Sequence, residues 1–251
     1  LPKRGFFHCQ NKHYPIKSIL SNKKAMTGKN IVIVGGNSGI GKATAELLQQ
    51  AGANLFLYSK SGQGTTMLDT SQDFDLIPGL PDVIDGVVYC PGSINLKPFH
   101  RISVEEFKQE MEVNFYGAVR VLQACLKGLK KSSSPAVVLF STVAVQTGMG
   151  FHAGIASAKG AIEGLTRSLA AEWAPSKIRV NAIAPSLTET PLASALLSTP
   201  EKKEASDKRH PLGRIGTSQD IANAAVFLLT PTSSWMTGQI LHLDGGMSNL
   251  K

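Results

Sequence analysis

Residues 34 to 41 read Val-Gly-Gly-Asn-Ser-Gly-Ile-Gly. This run can bind an anion with its backbone alone. Glycines let a phosphate approach the main chain, and free N–H groups at a helix start, aided by the helix dipole, stabilise the negative charge. Gly35, Gly39 and Gly41 carry the spacing, with Asn37, Ser38 and Ile40 between them. A bare turn is the alternative, and the flanks decide against it. Ile31-Val32-Ile33-Val34 precedes the run as a β-branched strand, and Lys42 to Leu48 follows as a helix. Strand, glycine turn and helix N-terminus in that order hold the pyrophosphate of a dinucleotide. The next strand ends in Tyr58-Ser59-Lys60-Ser61. An acid there would bond a ribose 2′-hydroxyl and repel a 2′-phosphate. The hydroxyls and lysine found instead favour NADP(H), with NAD(H) left open; a solvated loop lysine is the plainer alternative.

The elements that must position these residues follow from periodicity. After the first strand and helix, strands are expected at 53–58, 67–68, 83–89, 136–140, 178–184 and 239–243. Ala136 to Phe140 is continuously apolar, as in a strand buried on both faces. Ser103 and Glu106 form a capping box. The helix they open places Phe107, Met111, Phe115, Val119, Leu122 and Leu126 along one face. Residues 157–172 and 220–229 read as further helices. In the first, Gly160 and Gly164 lie on one face. Each costs about 1 kcal/mol relative to alanine, so a close approach of another element is expected there. Strands alternating with helices predict an α/β fold: one Rossmann-type, doubly wound, parallel seven-stranded sheet with helices on both faces. The segment Ser59–Asp82 is too short for two full helices, so that edge should be trimmed. No linker divides residues 26–251, which read as one dinucleotide-binding domain.

From about Thr27 to Met247 the chain resembles the short-chain dehydrogenase/reductase family, of the type that reduces 3-oxoacyl carriers. The glycine motif maps onto Gly35, Gly39 and Gly41, with Val34 where the family has threonine. Asp69 matches an aspartate that holds adenine, and Asn114 matches the family's helix asparagine. Asn181 to Thr190 matches the strand and loop holding the nicotinamide amide. Pro185, Leu187, Thr188 and Thr190 thereby become cofactor contacts, and Ser186 replaces the usual glycine. Thr237 to Gly246 matches the C-terminal strand. Tyr89-Cys90-Pro91-Gly92 stands where the family has Asn-Asn-Ala-Gly. The resemblance implies that this turn also borders the cofactor. Cys90 reads as a packing residue.

The resemblance further implies a serine, a Tyr-x-x-x-Lys pair and an asparagine at the catalytic centre. Lys159 stands in place, Thr142 takes the serine position, and Asn114 is present. The tyrosine position is Ile155, which has no ionisable group. Hydride chemistry then needs another proton source. His152, seven residues before Lys159, has a suitable pKa range, although a polar loop histidine is the plain alternative. A water held by Thr142 and Lys159 is another source. The resemblance therefore implies an NAD(P)(H)-dependent oxidoreductase on a carbonyl, alcohol or enoyl substrate. The alternative is a dinucleotide-binding sensor or partner subunit without catalysis. His210, in His-Pro-Leu-Gly-Arg, reads as structural. Leu192, Leu196, Leu197 and the helix-like segment 201–210 fall where a lid over a hydrophobic or acyl substrate is expected.

Composition sets the remaining bounds. The chain has 251 residues, 42% hydrophobic, and a formal charge of +8. Lys3, Arg4, Lys12, Lys17, Lys23 and Lys24 supply six of those charges within the first 25 residues, which hold no acid. The remainder is close to neutral, with no basic stripe to suggest nucleic acid. No run approaches the ~20 apolar residues of a membrane span. The basic segment 1–25 is expected to be an extension preceding a start at Met26, with a targeting segment as the alternative. Three cysteines without ligand spacing suggest no metal and a reducing, cytoplasmic location. A homotetramer or homodimer packed through long helices is expected.

Overall fold

The computed structural model describes residues 26–250, so the expectation for residues 1–25 lies outside the described residues. Seven parallel strands form one sheet. They are β1 (Asn30–Val34), β2 (Asn54–Ser59), β3 (Thr66–Met67), β4 (Gly86–Tyr89), β5 (Ala136–Phe140), β6 (Arg179–Pro185) and, last in the chain, β9 (Ile240–Leu243). Their order across the sheet is β3-β2-β1-β4-β5-β6-β9. A separate two-stranded pair, β7 (Thr188–Glu189) with β8 (Gly216–Thr217), lies beside it. The order reverses between β1 and β4, whose Val34 and Tyr89 pair at their C-terminal ends. That reversal opens the crevice in which α/β sheets bind ligands. Here the crevice lies between the glycine turn and Tyr89–Gly92.

Helices cover both faces. α1 (Gly39–Gln50) and α7 (Ser218–Leu229) pack on one side, where Leu48, Ile221, Ala225 and Leu229 meet Ile31, Ile33, Val88 and Val138. On the other side α3 (Gly117–Leu129) and α5 (Ala153–Trp173) bring Val121, Leu122, Cys125 and Ile162 onto Val32, Val87, Val137 and Val180. Alternate residues of each central strand face different cores, which is why those strands read as unbroken apolar runs. Among the described residues no helix lies between β2 and β4, so the trimmed edge is observed.

Three local readings change. The fourth strand begins at Gly86, because Asp85 turns aside to accept from Asn30 N–H at 3.0 Å, Lys29 Nζ at 3.0 Å and Ser132 Oγ at 2.7 Å. The helix after Ser103 is not one α-helix. α2 (Val104–Met111) passes through a π-helical turn at Glu112–Tyr116 into α3. The wider turn shifts the buried face to Glu110, Asn114, Ala118, Val121 and Cys125. The expected line through Val119 and Leu126 runs along its margin. Finally, α5 begins at Ala153, so Ile155 and Lys159 share one helix. A Cβ on its Gly164 would meet nothing within 4 Å and one on Gly160 only Val145 at 3.9 Å, so the close approach expected there is not made within this chain.

Candidate active site

The glycine turn has the shape its sequence requires. Gly35 and Gly39 have φ of +80° and +49°, in the region that favours glycine. A Cβ on Gly41 would lie 2.1 Å from the Gly35 carbonyl oxygen, so α1 can start here only with a bare residue. Ser38 sits at the helix N-cap without spending its side chain on the cap, which leaves the first-turn N–H groups facing the crevice. A Cβ on Gly39 would touch Thr190 at 3.5 Å, so the turn is seated against the loop after β6.

Two hollows flank this turn. The first, of about 450 Å³, is lined by Gly35, Asn37, Ser59, Lys60, Asp69, Pro91 and Gly92, among others. Ser59 is buried and bonds Thr65 Oγ1 at 2.6 Å, while Asn37 Nδ2 donates to Ser61 Oγ at 2.9 Å. Lys60 Nζ pairs with Asp69 at 2.9 Å, so the two residues expected to hold a phosphate and an adenine hold each other. Hydrogen bonds from Ser71, then the Lys60 charge, keep the Asp69 carboxyl below the ordinary aspartate range.

The second hollow, a cleft of about 320 Å³, brings together Thr142, His152, Ile155 and Lys159 with Ile40, Cys90, Gly92, Pro185, Leu187, Thr188 and Thr190. Leu192, Leu196, Met149 and Ile94 give it apolar walls. Ile155 stands one helical turn before Lys159, with its side chain on the cleft where the resemblance expects a phenol. Burial pushes the Lys159 ammonium down to about 8, against weaker support from Cys90 and Glu110. Burial pushes the Cys90 thiol up to about 12, which suits a packing role. Thr142 stands two residues past β5, before the short helix α4 (Ala144–Thr147), and accepts from Ala144 N–H at 3.3 Å. His152 caps α5; its Nδ1 lies 2.6 Å from the Gly150 carbonyl, which assigns a proton to Nδ1 and leaves Nε2 free.

Asn114, fully buried in the π-helical turn, donates from Nδ2 to Ser93 Oγ at 2.7 Å and to Glu110 Oε2 at 3.1 Å. Ser93 Oγ donates to Glu110 Oε2 at 2.6 Å. A Cβ on Gly92 would sit 3.2 Å from Asn114 Oδ1 and 3.6 Å from Lys159 Nζ, so Gly92 lies close against both groups. Tyr89, in place of the expected asparagine, donates to the Val113 carbonyl at 2.7 Å and so supports the same π-helical turn. The apolar pattern missed Ser93 and Glu110, because a polar residue on a buried face looks like a break in that pattern. It also missed Ser186 and His210. Both line the cleft, and they bond each other at 2.8 Å.

A match to the family model for enoyl-(acyl carrier protein) reductase spans residues 74–248. The chain belongs to the short-chain dehydrogenase/reductase family. A tropinone reductase homologue of Arabidopsis thaliana is 33% identical over 91% of this chain and 96% of its own. The 3-oxoacyl-(acyl-carrier-protein) reductase FabG of Aquifex aeolicus is 31% identical over 88% of this chain and 98% of its own. The ligand-free aldohexose dehydrogenase of Thermoplasma acidophilum superimposes with a TM-score of 0.81 at 26% identity, covering 90% of this chain and 96% of that one. The protein is thus a short-chain oxidoreductase. The bare Gly41 and the uncapped start of α1 fit the pyrophosphate of a dinucleotide. Among the described residues no helix is long and apolar enough to cross a membrane, and no cluster of side chains suits a metal ion.

Proposed function

We propose that this protein reduces a carbonyl on an apolar small molecule, or oxidises the corresponding alcohol, with NADP(H) as the favoured cofactor. The observation that carries this reading is the convergence of Thr142, Lys159 and the glycine turn on one apolar cleft. Bound dinucleotide supplies or takes hydride. Gly35, Asn37, Ser38, Gly39, Ile40 and Gly41 hold its pyrophosphate. Ser59, Lys60 and Asp69 hold the adenosine end, Cys90, Pro91 and Gly92 border the middle, and Pro185, Leu187, Thr188 and Thr190 hold the amide end. Thr142 donates a hydrogen bond to the substrate oxygen, Lys159 orients the nicotinamide ribose, and Asn114 fixes the π-helical turn beside it. With Ile155 at the phenol position, the proton comes from elsewhere in the cleft. His152 and a water between Thr142 and Lys159 are the sources nominated by sequence. Losing a general acid costs about 10² to 10⁴ in rate, and positioning and electrostatics remain.

Ile155 also favours a second reading, in which the protein binds dinucleotide without turnover. Fluorescence titration with NADPH and NADH, followed by carbonyl and enoyl substrates, separates the two. Binding with turnover is expected. Tight binding with no turnover establishes the second reading, and failure to bind either cofactor defeats both.

A further inference from the structure

The imidazole of His210 is 3% exposed, yet it belongs to the wall of the cleft. Both of its nitrogens are engaged. Nδ1 lies 2.8 Å from the Ser206 carbonyl, at the end of α6 (Pro200–Asp207), and Nε2 lies 2.8 Å from Ser186 Oγ. A carbonyl only accepts, so the proton of neutral imidazole sits on Nδ1, and Nε2 presents a lone pair to the serine hydroxyl. Ser186 follows Pro185, whose carbonyl accepts from Val143 N–H at 3.1 Å, so the serine enters the cleft beside Thr142. A hydroxyl with a histidine behind it, and a carbonyl fixing that histidine's tautomer, is an arrangement that passes a proton. His152 is held through one nitrogen only and lies in the exposed segment after Gly148.

We propose that Ser186 and His210 form the proton relay that replaces the missing phenol. This rests on the reductase reading above. In reduction, the carbonyl carbon accepts hydride, with its electron pair, from the reduced dinucleotide. The π pair of the C=O bond moves to oxygen, and that oxygen takes the proton of Ser186. Ser186 Oγ takes the Nε2 proton of the His210 imidazolium, leaving neutral imidazole with Nδ1–H on Ser206. The imidazole regains a proton from solvent through the cleft. One carbonyl, one reduced dinucleotide and one proton become one alcohol and one oxidised dinucleotide. In the reverse direction neutral His210 draws the Ser186 proton, and Ser186 accepts the proton of the alcohol.

A hydrogen bond that merely ties α6 to the loop after β6 makes different demands from a relay. His210→Gln keeps a side-chain amide where Nε2 bonded Ser186, but it cannot cycle a proton. Ser186→Ala removes the hydroxyl, and Ser186→Thr retains it. The assay uses NADPH with two carbonyl probes, the N-acetylcysteamine thioester of acetoacetate and 9,10-phenanthrenequinone. NADPH dissociation constants and melting temperatures are measured alongside. We expect kcat to fall about 10²-fold or more in Ser186→Ala and His210→Gln. Ser186→Thr should recover to within about tenfold, and NADPH affinity should stay within about threefold throughout. Nitrogen-15 spectra of histidine-labelled protein, without any substrate, should show neutral His210 protonated at Nδ1, with the Nε2 resonance moving in Ser186→Ala. Wild-type kcat in His210→Gln or Ser186→Ala overturns the relay alone, as does an Nε2-protonated tautomer. Turnover lost in His152→Ala but kept in His210→Gln assigns the proton to His152 instead. NADPH binding with no turnover of any carbonyl by the wild-type protein overturns the reductase reading and the relay with it.

Discussion

Lys159 is a buried cation in the wall of the cleft, and its burial costs stability. Its pKa falls from an ordinary 10.5 to about 8 on burial. Between those values the unfolded chain binds a proton that the folded chain does not, so stability rises with pH across that window. Below pH 8 the full penalty applies, about 3 kcal/mol at one unit per 1.4 kcal/mol. Lys159→Met should therefore raise the melting temperature at pH 7 and much less at pH 10, while impairing turnover. Equal gains at both pH values would refute the burial cost. Lys60 presents the opposite case, an exposed cation paired with Asp69. Exposed pairs contribute little to stability, so a 2′-phosphate can compete for the lysine. Lys60→Ala should weaken NADPH binding about tenfold, the worth of one charge-assisted hydrogen bond, and leave NADH within about twofold. Residue types announced Lys159, Thr142 and Asn114 once the resemblance was in hand. The Ser186–His210 contact spans 24 positions with no pattern between, and only the folded chain joins it.

At the scale of elements, the six longer strands of the sheet were legible because each is an apolar or β-branched run between turn residues, while the two-residue β3 was expected one position later, at 67–68. The two-residue strands β7 and β8 are too short to leave such a trace. The π-helical turn at Glu112–Tyr116 was hidden for another reason. Its register shift puts Glu110 and Asn114 on the buried side, where an apolar pattern assigns no polar residue. The start of α1 offers the cleanest test of an element against its function. Gly41→Ala places a methyl 2.1 Å from a backbone oxygen, which neither the strand nor the helix can yield without moving. We expect a loss of about 1–3 kcal/mol in stability, as for other overpacked sites. NADPH and NADH affinity should fall together, by tenfold or more, because the pyrophosphate cradle is common to both. An affinity loss confined to one cofactor would place the cradle elsewhere.

For the whole molecule, the outward side of α5 raises the question of assembly. Gly164 is exposed, and a methyl placed on it would meet nothing within 4 Å, so two such helices can approach closely. We propose that copies of the chain pack there as a dimer or tetramer. Light scattering at micromolar concentration should give two or four times the chain mass, and Gly164→Glu should lower it. A monomeric wild-type protein would end that proposal. The two hollows beside the glycine turn differ in another respect. The cleft around Lys159 is backed by α5 and by the central strands, whereas the Asp69 side rests on β3, two exposed residues long, and on a stretch to β4 that forms no helix. Backbone amides in that stretch have few ladder partners, so they should exchange with deuterated solvent in seconds to minutes while those of β1, β4 and β5 persist. A ligand lying across both hollows would then slow exchange mostly on one side. One end of the molecule it holds would meet a finished wall, and the other would have to complete its own.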